Sequence, residues 1–187
     1  MVTIVGISGS LRKKSFNTAV LEAAVELAPE RARLVTHSIR GIPLYDGDIE
    51  AGSGIPESVT TLKDAIAAAD GLLFVTPEYN NSIPGVFKNA IDWTTRPDSD
   101  MKRVYGGKPI ALMGASPGGF GTILSQNAWL PVFRVLGVQL WTERRLLVSR
   151  AATLMDADGK LSDAKTRDQV RTLLEGFVTF IERQARR

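Results

Sequence analysis

The sequence VTIVGISGSLRKKSFN, residues 2–17, joins an apolar run to a polar loop and then to a helical pattern that begins near Phe16. The apolar run predicts a buried strand, and the loop carries hydroxyls, an amide and three cationic side chains. The free N–H groups and the dipole of a first helical turn attract anions, so the unit predicts a phosphate site. A plain capped turn is the alternative, because the loop lacks a G-x-G-x-x-G fingerprint and the glycine that a Walker loop has before Lys14.

The rest of the chain alternates short apolar runs with amphipathic segments. Further strands are predicted at residues 33–39, 71–75, 109–113 and 138–141, with an extension of the last toward residue 148 left open. Helices are predicted at residues 18–27, from Pro56 to residue 69, at 85–93, at 122–136 and around 170–181, and residues 41–54 are predicted to form a long surface loop. Five strands that alternate with five helices predict an α/β fold, a doubly wound parallel sheet with helices on both faces.

Three polar loops are expected to share one edge of this sheet. Ligands of doubly wound sheets bind beyond the carboxyl ends of the strands, where residues 8–17, 77–84 and 116–121 follow the first, third and fourth strands. The single histidine, His37, is predicted inside the second strand, away from this edge, and the chain has no cysteine. These features exclude thiolate chemistry and argue against a metal centre or a Ser-His-Asp triad. We therefore predict no metal site and no catalytic side chain, and we expect a cofactor to carry the chemistry.

The composition of the chain limits the kinds of partner that it is expected to bind. A chain of 187 residues and 20.3 kDa with 44% hydrophobic residues suits one domain over residues 1–187. No stretch approaches the roughly 20 apolar residues of a membrane span, so we expect a cytoplasmic protein without a membrane partner. The net charge of +3 is spread among mixed acids and bases, which does not indicate a nucleic-acid partner. The basic cluster around Arg12 is expected to attract anionic small molecules.

Four segments together resemble the NADPH-dependent FMN reductase family. They are GSLRKKSFN at 9–17, LYDGDIE at 44–50, TPEYNNSIPGVFKNAIDW at 76–93 and GKPIALMGASPGGFG at 107–121. The resemblance covers nearly the whole chain, and PEYN followed by S-x-P-G-x-x-K-N-A-I-D-W is its most specific part. It implies a flavodoxin-like fold with a five-stranded sheet, FMN bound at the carboxyl edge of the strands, and a homodimer or homotetramer.

The resemblance also implies which residues contact FMN. For the phosphate these are Ser10, Arg12, Ser15 and Asn17; for the ring they are Pro77, Glu78, Tyr79 and Asn80 on one side and Ser116, Gly118 and Gly119 on the other. Convergent donors suit a phosphate, and glycine lets the backbone approach a flat ring. The alternatives are a tight turn at 77–80 and a simple connector at 116–121. Tyr45 and Asp46 lie either at the nicotinamide entrance or merely in a mobile loop.

The activity implied by the resemblance is that of an NAD(P)H-dependent oxidoreductase. NADPH or NADH would pass a hydride to N5 of FMN, and the electrons would go on to a quinone, flavin, azo compound or chromate in a ping-pong cycle. The preference for NADPH over NADH stays open, with Lys13 or Lys14 as candidate contacts of its 2′-phosphate.

Two alternative functions come from other classes. One is a flavodoxin-like FMN electron carrier without nicotinamide turnover, against which the basic charge counts. The other is a phosphate-handling enzyme or nucleotide switch. The latter needs an acidic ligand for Mg²⁺ at a strand end, and residues 72–76 contain none.

Overall fold

A computed structural model describes residues 1–186, and its strands form one six-stranded parallel sheet. The strands are β1 (Val2–Ser8), β2 (Ala32–His37), β3 (Gly71–Val75), β4 (Pro109–Ala115), β5 (Gln139–Leu140) and β6 (Leu146–Val148). Their order is β2-β1-β3-β4-β5, and β6 also pairs with β4. The winding changes direction between β1 and β3, so a crevice opens there beyond the carboxyl ends of the strands. The predicted doubly wound α/β fold is confirmed.

Helices cover both faces of the sheet. They are α1 (Phe16–Glu26), α2 (Gly47–Ser53), α3 (Glu57–Ala68), α4 (Gly85–Thr94), α5 (Met101–Tyr105), α6 (Ile123–Leu136) and α7 (Ala164–Ala185). Leu73 and Val75 pack into the core beneath α1 and α7, whereas Leu72 and Phe74 pack into the core beneath α3 to α6. A strand that is buried on both faces reads as a continuous apolar run, which is why the run at 71–75 identified β3. Within residues 1–186, none of the helices has the length and apolar content needed to cross a bilayer.

The structure contains two short helices that the sequence pattern did not predict. Helix α2 lies inside the predicted surface loop at 41–54; the Asp46 side chain caps it by accepting a hydrogen bond from the Asp48 N–H at 2.9 Å. No residue of α2 is buried, so the helix has no apolar face for a periodic pattern to reveal. Helix α5 spans only five residues, too few for a full period of core-facing positions.

The predicted fifth strand is divided. β5 pairs with the start of β4, and β6 pairs with its end, while residues 142–145 leave the sheet between them. Trp141 is buried against α7, where a Cβ on Gly176 would lie only 2.7 Å from the indole. The chain leaves the strand where this large ring enters the core, and the exposed segment 142–145 carries it back to β4.

Candidate functional site

The loops after β1, β3 and β4 enclose one cavity at the carboxyl edge of the sheet. Its volume is about 330 Å³, at the small end of the range for ligand pockets, roughly 300–1,000 Å³. The lining includes Ser10, Arg12, Ser15, Asn17, Pro77, Glu78, Tyr79 and Ser116 from the predicted site, and also Phe16, Ala115 and Pro117. The predicted convergence of three separate segments is therefore present in the structure. Asn80, Gly118 and Gly119 do not line the cavity.

The first loop presents hydroxyl donors and one cation. The Ser15 Oγ caps α1 by accepting a hydrogen bond from the Thr18 N–H at 3.3 Å, and the Ser10 Oγ accepts one from the Arg12 N–H at 3.3 Å. Both oxygens act as acceptors here, so each hydroxyl keeps its own hydrogen to donate to a ligand. The Arg12 guanidinium lies over the Phe16 ring, 4.9 Å from its centroid, which holds the cation beside the cavity.

Asn17 joins two of the loops. Its Nδ2 donates to the carbonyl of Ala115, and its Oδ1 accepts from the N–H of Ala115, both at 2.8 Å. The side chain is buried, and only its second amide hydrogen is left for another partner. Asn17 was predicted as a phosphate contact; the structure places it at the cavity wall, where it mainly ties the start of α1 to the end of β4.

The second loop is anchored to α6. The buried Thr76 hydroxyl accepts a hydrogen bond from the Trp129 indole at 3.1 Å and lies 2.9 Å from the Ser125 Oγ. The Glu78 carboxylate accepts from the N–H groups of Leu124 and Ser125 at 2.8 and 3.0 Å. A carboxylate at a helix N-terminus satisfies free donors and interacts favourably with the helix dipole. Glu78 thus fixes the loop, and its carboxylate points toward α6 rather than standing free in the cavity.

A tight turn explains why Asn80 lies away from the cavity. The backbones of Tyr79 and Ser82 exchange two hydrogen bonds of 3.1 and 3.0 Å, and both Asn80 and Asn81 have positive φ angles, 50° and 61°. This is the geometry of a two-residue turn of type I′, which asparagine tolerates. The sequence analysis had left open a tight turn or a ligand contact at 77–80. The segment is both a turn at its tip and a cavity wall at residues 77–79.

The third loop folds back on itself beyond the cavity. The Ser116 hydroxyl donates to the carbonyl of Gly121 at 2.6 Å, and the carbonyl of Gly118 accepts from the Arg150 N–H at 2.9 Å. These bonds turn Gly118 and Gly119 away to exposed positions at the rim. A Cβ added to Gly119 would meet no atom within 4 Å, so the space beside its Cα is open.

Two other predictions concern residues near this edge. His37 is the last residue of β2, not an interior one, because the strand ends two residues earlier than predicted, and it lines a separate cavity of about 150 Å³ with Ser8 and Ser10. The prediction that His37 lies away from the ligand edge is therefore wrong.

Tyr45 packs on Trp93, with the two ring centroids 5.0 Å apart, and it does not line the candidate cavity. The hydrogen bond that its hydroxyl donates to Glu50 raises the pKa of this phenol.

The residues that sequence reasoning missed all adjoin predicted ones. Phe16 lies between Ser15 and Asn17, and Ala115 and Pro117 flank Ser116. Their position next to predicted site residues was the only signal in the sequence. An aromatic side chain at a helix start or an alanine at a strand end carries no distinctive chemistry. The first loop contributes hydroxyl donors and a cation to the cavity, and the other two loops contribute the rest of its lining. This donor set fits a phosphate joined to a flat ring, as in FMN.

Comparisons with known proteins agree with this chemistry. The chain matches the family model described as NADPH-dependent FMN reductase over residues 2–153. It is 40% identical over 182 residues to an NAD(P)H-dependent FMN reductase of Pseudomonas aeruginosa, with 97% of this chain and 96% of the relative covered. It is 38% identical over 175 residues to a 2-hydroxy-1,4-benzoquinone reductase of a Burkholderia species, with 94% and 93% covered.

A solved structure extends the comparison to the fold. The flavoenzyme FerB of Paracoccus denitrificans, an NAD(P)H:(acceptor) oxidoreductase, superposes with a TM-score of 0.86 and 36% identity. The match covers 98% of both chains. The likeness in fold therefore extends over nearly the whole chain.

Proposed function

The chain belongs to the NADPH-dependent FMN reductase family, and from this premise we propose that it reduces quinones with NAD(P)H at the cavity formed by residues 10–17, 77–79 and 115–117. It is an NAD(P)H-dependent oxidoreductase of the quinone reductase type with FMN as its cofactor. The observation that carries the proposal is that Ser10, Arg12 and Ser15 line the same cavity as the loops after β3 and β4. Bound FMN would supply a ring that takes a hydride from the nicotinamide and returns two electrons to the acceptor.

The first loop holds the phosphate end in this proposal. Ser10 and Ser15 donate their free hydroxyl hydrogens, and Arg12 supplies a charge-assisted hydrogen bond. Asn17 contributes its remaining amide hydrogen while it keeps the loop against β4. These groups are already oriented by their hydrogen bonds and by Phe16, so binding costs little side-chain entropy.

The other two loops form the walls for the ring. Pro77, Glu78 and Tyr79 line one side, with Glu78 held by α6, and Ser116 begins the other. Contacts with Asn80, Gly118 and Gly119 require the ring to extend past the edge of the cavity toward the exposed rim. No side-chain acid or base is needed for hydride transfer, so these residues act by placing the ring and excluding water from one of its faces.

A colour change tests the function directly. The purified protein is expected to be yellow, and NADPH added without air is expected to bleach it, with colour returning when a quinone is added. A yellow protein that NADPH does not bleach would identify the FMN electron carrier instead. A colourless protein that ignores added FMN would contradict both.

The nicotinamide and the acceptor are proposed to use one face of the ring in turn. Plots of reciprocal initial rate against reciprocal NADPH concentration at several quinone concentrations are then expected to be parallel, because no complex contains both substrates. Flavin, azo compounds and chromate are further proposed acceptors, to be compared under the same conditions. Intersecting lines would show that both substrates bind together and would refute the shared site.

The Arg12→Ala variant tests the phosphate end. Loss of a charge-assisted hydrogen bond is expected to weaken FMN binding by about 1.5–3 kcal/mol, or about 10- to 150-fold in Kd. Fluorescence quenching of FMN measures this change. Lys13→Ala is the matched control. Lys13 is exposed and does not line the cavity, and its substitution removes the same charge as Arg12→Ala. Equal effects of the two substitutions would mean that Arg12 acts only through its charge.

Assembly is a further part of the proposal. We propose that residues 1–187 form one FMN-binding domain that assembles as a homodimer or homotetramer in the cytoplasm. Phe120 in the loop before α6 and Leu124 in the first turn of α6, close to Glu78 of the candidate site, are exposed at 83% and 44%. Val135 extends this apolar surface at the far end of α6, with 70% relative exposure. Such side chains suit a subunit contact at this face, and light scattering measures the mass against 20.3 kDa for one chain.

A further inference from the structure

Arg40, in the loop after β2, contacts the phosphate loop across a large separation in sequence. Its Nη2 donates to the carbonyl of Leu11 at 2.5 Å, although the two residues are 29 positions apart. The Arg40 N–H donates to the Ser38 Oγ at 3.1 Å, which closes a local turn beneath the side chain. We propose that Arg40 is a positioning residue that holds the first loop in the conformation able to bind the phosphate of FMN. This inference rests on the proposed function.

The geometry of one peptide group explains how Arg40 would act. The carbonyl of Leu11 and the N–H of Arg12 belong to the same planar trans peptide, so they point in opposite directions. Arg40 binds the carbonyl end, and the Ser10 Oγ accepts from the N–H end at 3.3 Å. Arg40 and Ser10 therefore fix both ends of the peptide plane that carries Arg12.

The same contact suits the electrostatics of an anion site. A backbone carbonyl that faced a phosphate would repel it, and the bond to Arg40 directs the Leu11 carbonyl elsewhere. The serine that accepts from the Arg12 N–H keeps its hydroxyl hydrogen free for the ligand. Arg40 itself does not line the cavity, so it acts on the phosphate through the loop and through its charge.

The loop has few other supports between its ends. The Gly9 N–H donates to the carbonyl of Val75 at 2.9 Å at the start of the loop, and Ser15 caps α1 at its end. Between them, the Leu11 side chain packs against the core beneath α3 to α6. Arg40 adds the polar tie that fixes which way the Leu11 peptide faces. Across residues 1–186 no carboxylate forms an ion pair with Arg40, so its charge is not neutralised locally.

The role of Arg40 is tested by comparing the affinities of the full-length apoprotein for FMN and for riboflavin. Riboflavin has the same ring as FMN but no phosphate. Wild-type protein is expected to bind FMN more tightly than riboflavin. Arg40→Ala is expected to raise the Kd for FMN about tenfold while the Kd for riboflavin changes less than about twofold. Arg40→Lys keeps the charge and an N–H donor that can reach the Leu11 carbonyl, and it is expected to restore the Kd for FMN to within about threefold of wild type.

Arg183→Ala is the matched control, because it removes the same charge from an exposed position in the last turn of α7. It is expected to leave both Kd values unchanged. Equal weakening of FMN and riboflavin by Arg40→Ala, or no change at all, would overturn the inference and leave the proposed function standing. A wild-type protein that binds riboflavin as tightly as FMN would overturn the phosphate site itself, and the role of Arg40 with it.

Discussion

Replacement of Asn17 with leucine is expected to lower the free energy of unfolding by about 4 kcal/mol. Leucine has similar size but no polar group, so the N–H and the carbonyl of Ala115 both lose their partner. Each buried backbone group left unsatisfied costs about 1–3 kcal/mol. Such a loss is a large part of the 5–15 kcal/mol that typically stabilises a domain. Urea denaturation followed by circular dichroism measures it.

The same substitution is expected to weaken FMN binding. Asn17 ties the phosphate loop to the end of β4, so its loss allows two walls of the cavity to separate. We expect a Kd for FMN at least about tenfold higher, equivalent to roughly 1.4 kcal/mol. Asn127→Ala is the matched control: Asn127 is an exposed asparagine whose Oδ1 accepts from Arg145, and its loss is expected to change stability by less than about 0.5 kcal/mol.

Asn17→Asp separates the lost donor from the lost side chain. A carboxylate at this position can still accept from the Ala115 N–H, but it faces the Ala115 carbonyl, so its pKa in the folded protein is expected to be raised. The protonated acid can donate to that carbonyl, and this stabilisation is present below the unfolded pKa of about 3.9 and lost as pH rises through the folded pKa. The deficit relative to wild type should therefore shrink in acid. A deficit independent of pH would show that the donor at Nδ2 is unimportant.

Gly114→Ala is expected to destabilise the protein by about 3 kcal/mol, the upper part of the usual range for overpacking. Gly114 lies in β4, where an added Cβ would overlap the Thr122 Oγ1 and the backbone carbonyl of Thr76. Both neighbours are buried, and one is backbone at the carboxyl end of the adjacent strand, so neither can swing aside. Relief of the overlap must shift the loop that begins at Pro77 and the start of α6, which Glu78 joins.

The effect of Gly114→Ala is expected on both stability and FMN affinity, measured by urea denaturation and by quenching of FMN fluorescence. Gly52→Ala is the matched control, because a Cβ on Gly52 in the exposed helix α2 would meet no atom within 4 Å. Alanine favours a helix over glycine, so this control should be neutral or stabilising by up to about 1 kcal/mol. If Gly114→Ala were as stable as the control, the close approach of β4 to Thr76 and Thr122 would not exist in solution.

Long elements with strong apolar patterns were predictable from the sequence. The runs at β1, β3 and β4 are buried on both faces, and α3, α6 and α7 show their buried positions at helical spacing. The short elements were not, because α2 buries nothing and α5 has only five residues. The division of the last strand depended on where Trp141 enters the core opposite Gly176, which no local pattern records.

The candidate site shows the same division. That the loops after β1, β3 and β4 meet followed from topology, since parallel strands end at one edge. The orientation and hydrogen-bond partners of each side chain at this edge could not be predicted from the topology. Glu78 turns to the N-terminus of α6, and Asn80 projects at the tip of a tight turn. The direction of each side chain depends on which donors and acceptors its distant neighbours leave free.

The sequence by itself determined the wound α/β architecture, the family and the edge at which the cofactor is expected, because apolar runs, glycines and contiguous motifs are local properties of the chain. Only the tertiary structure decided that Asn17 pairs with Ala115, 98 residues away, and that Arg40 reaches Leu11 from another loop. Such pairs form because folding removes water from polar groups, which then form hydrogen bonds with one another. Their identity depends on which groups the fold brings within about 3 Å, a distance that no sequence spacing encodes.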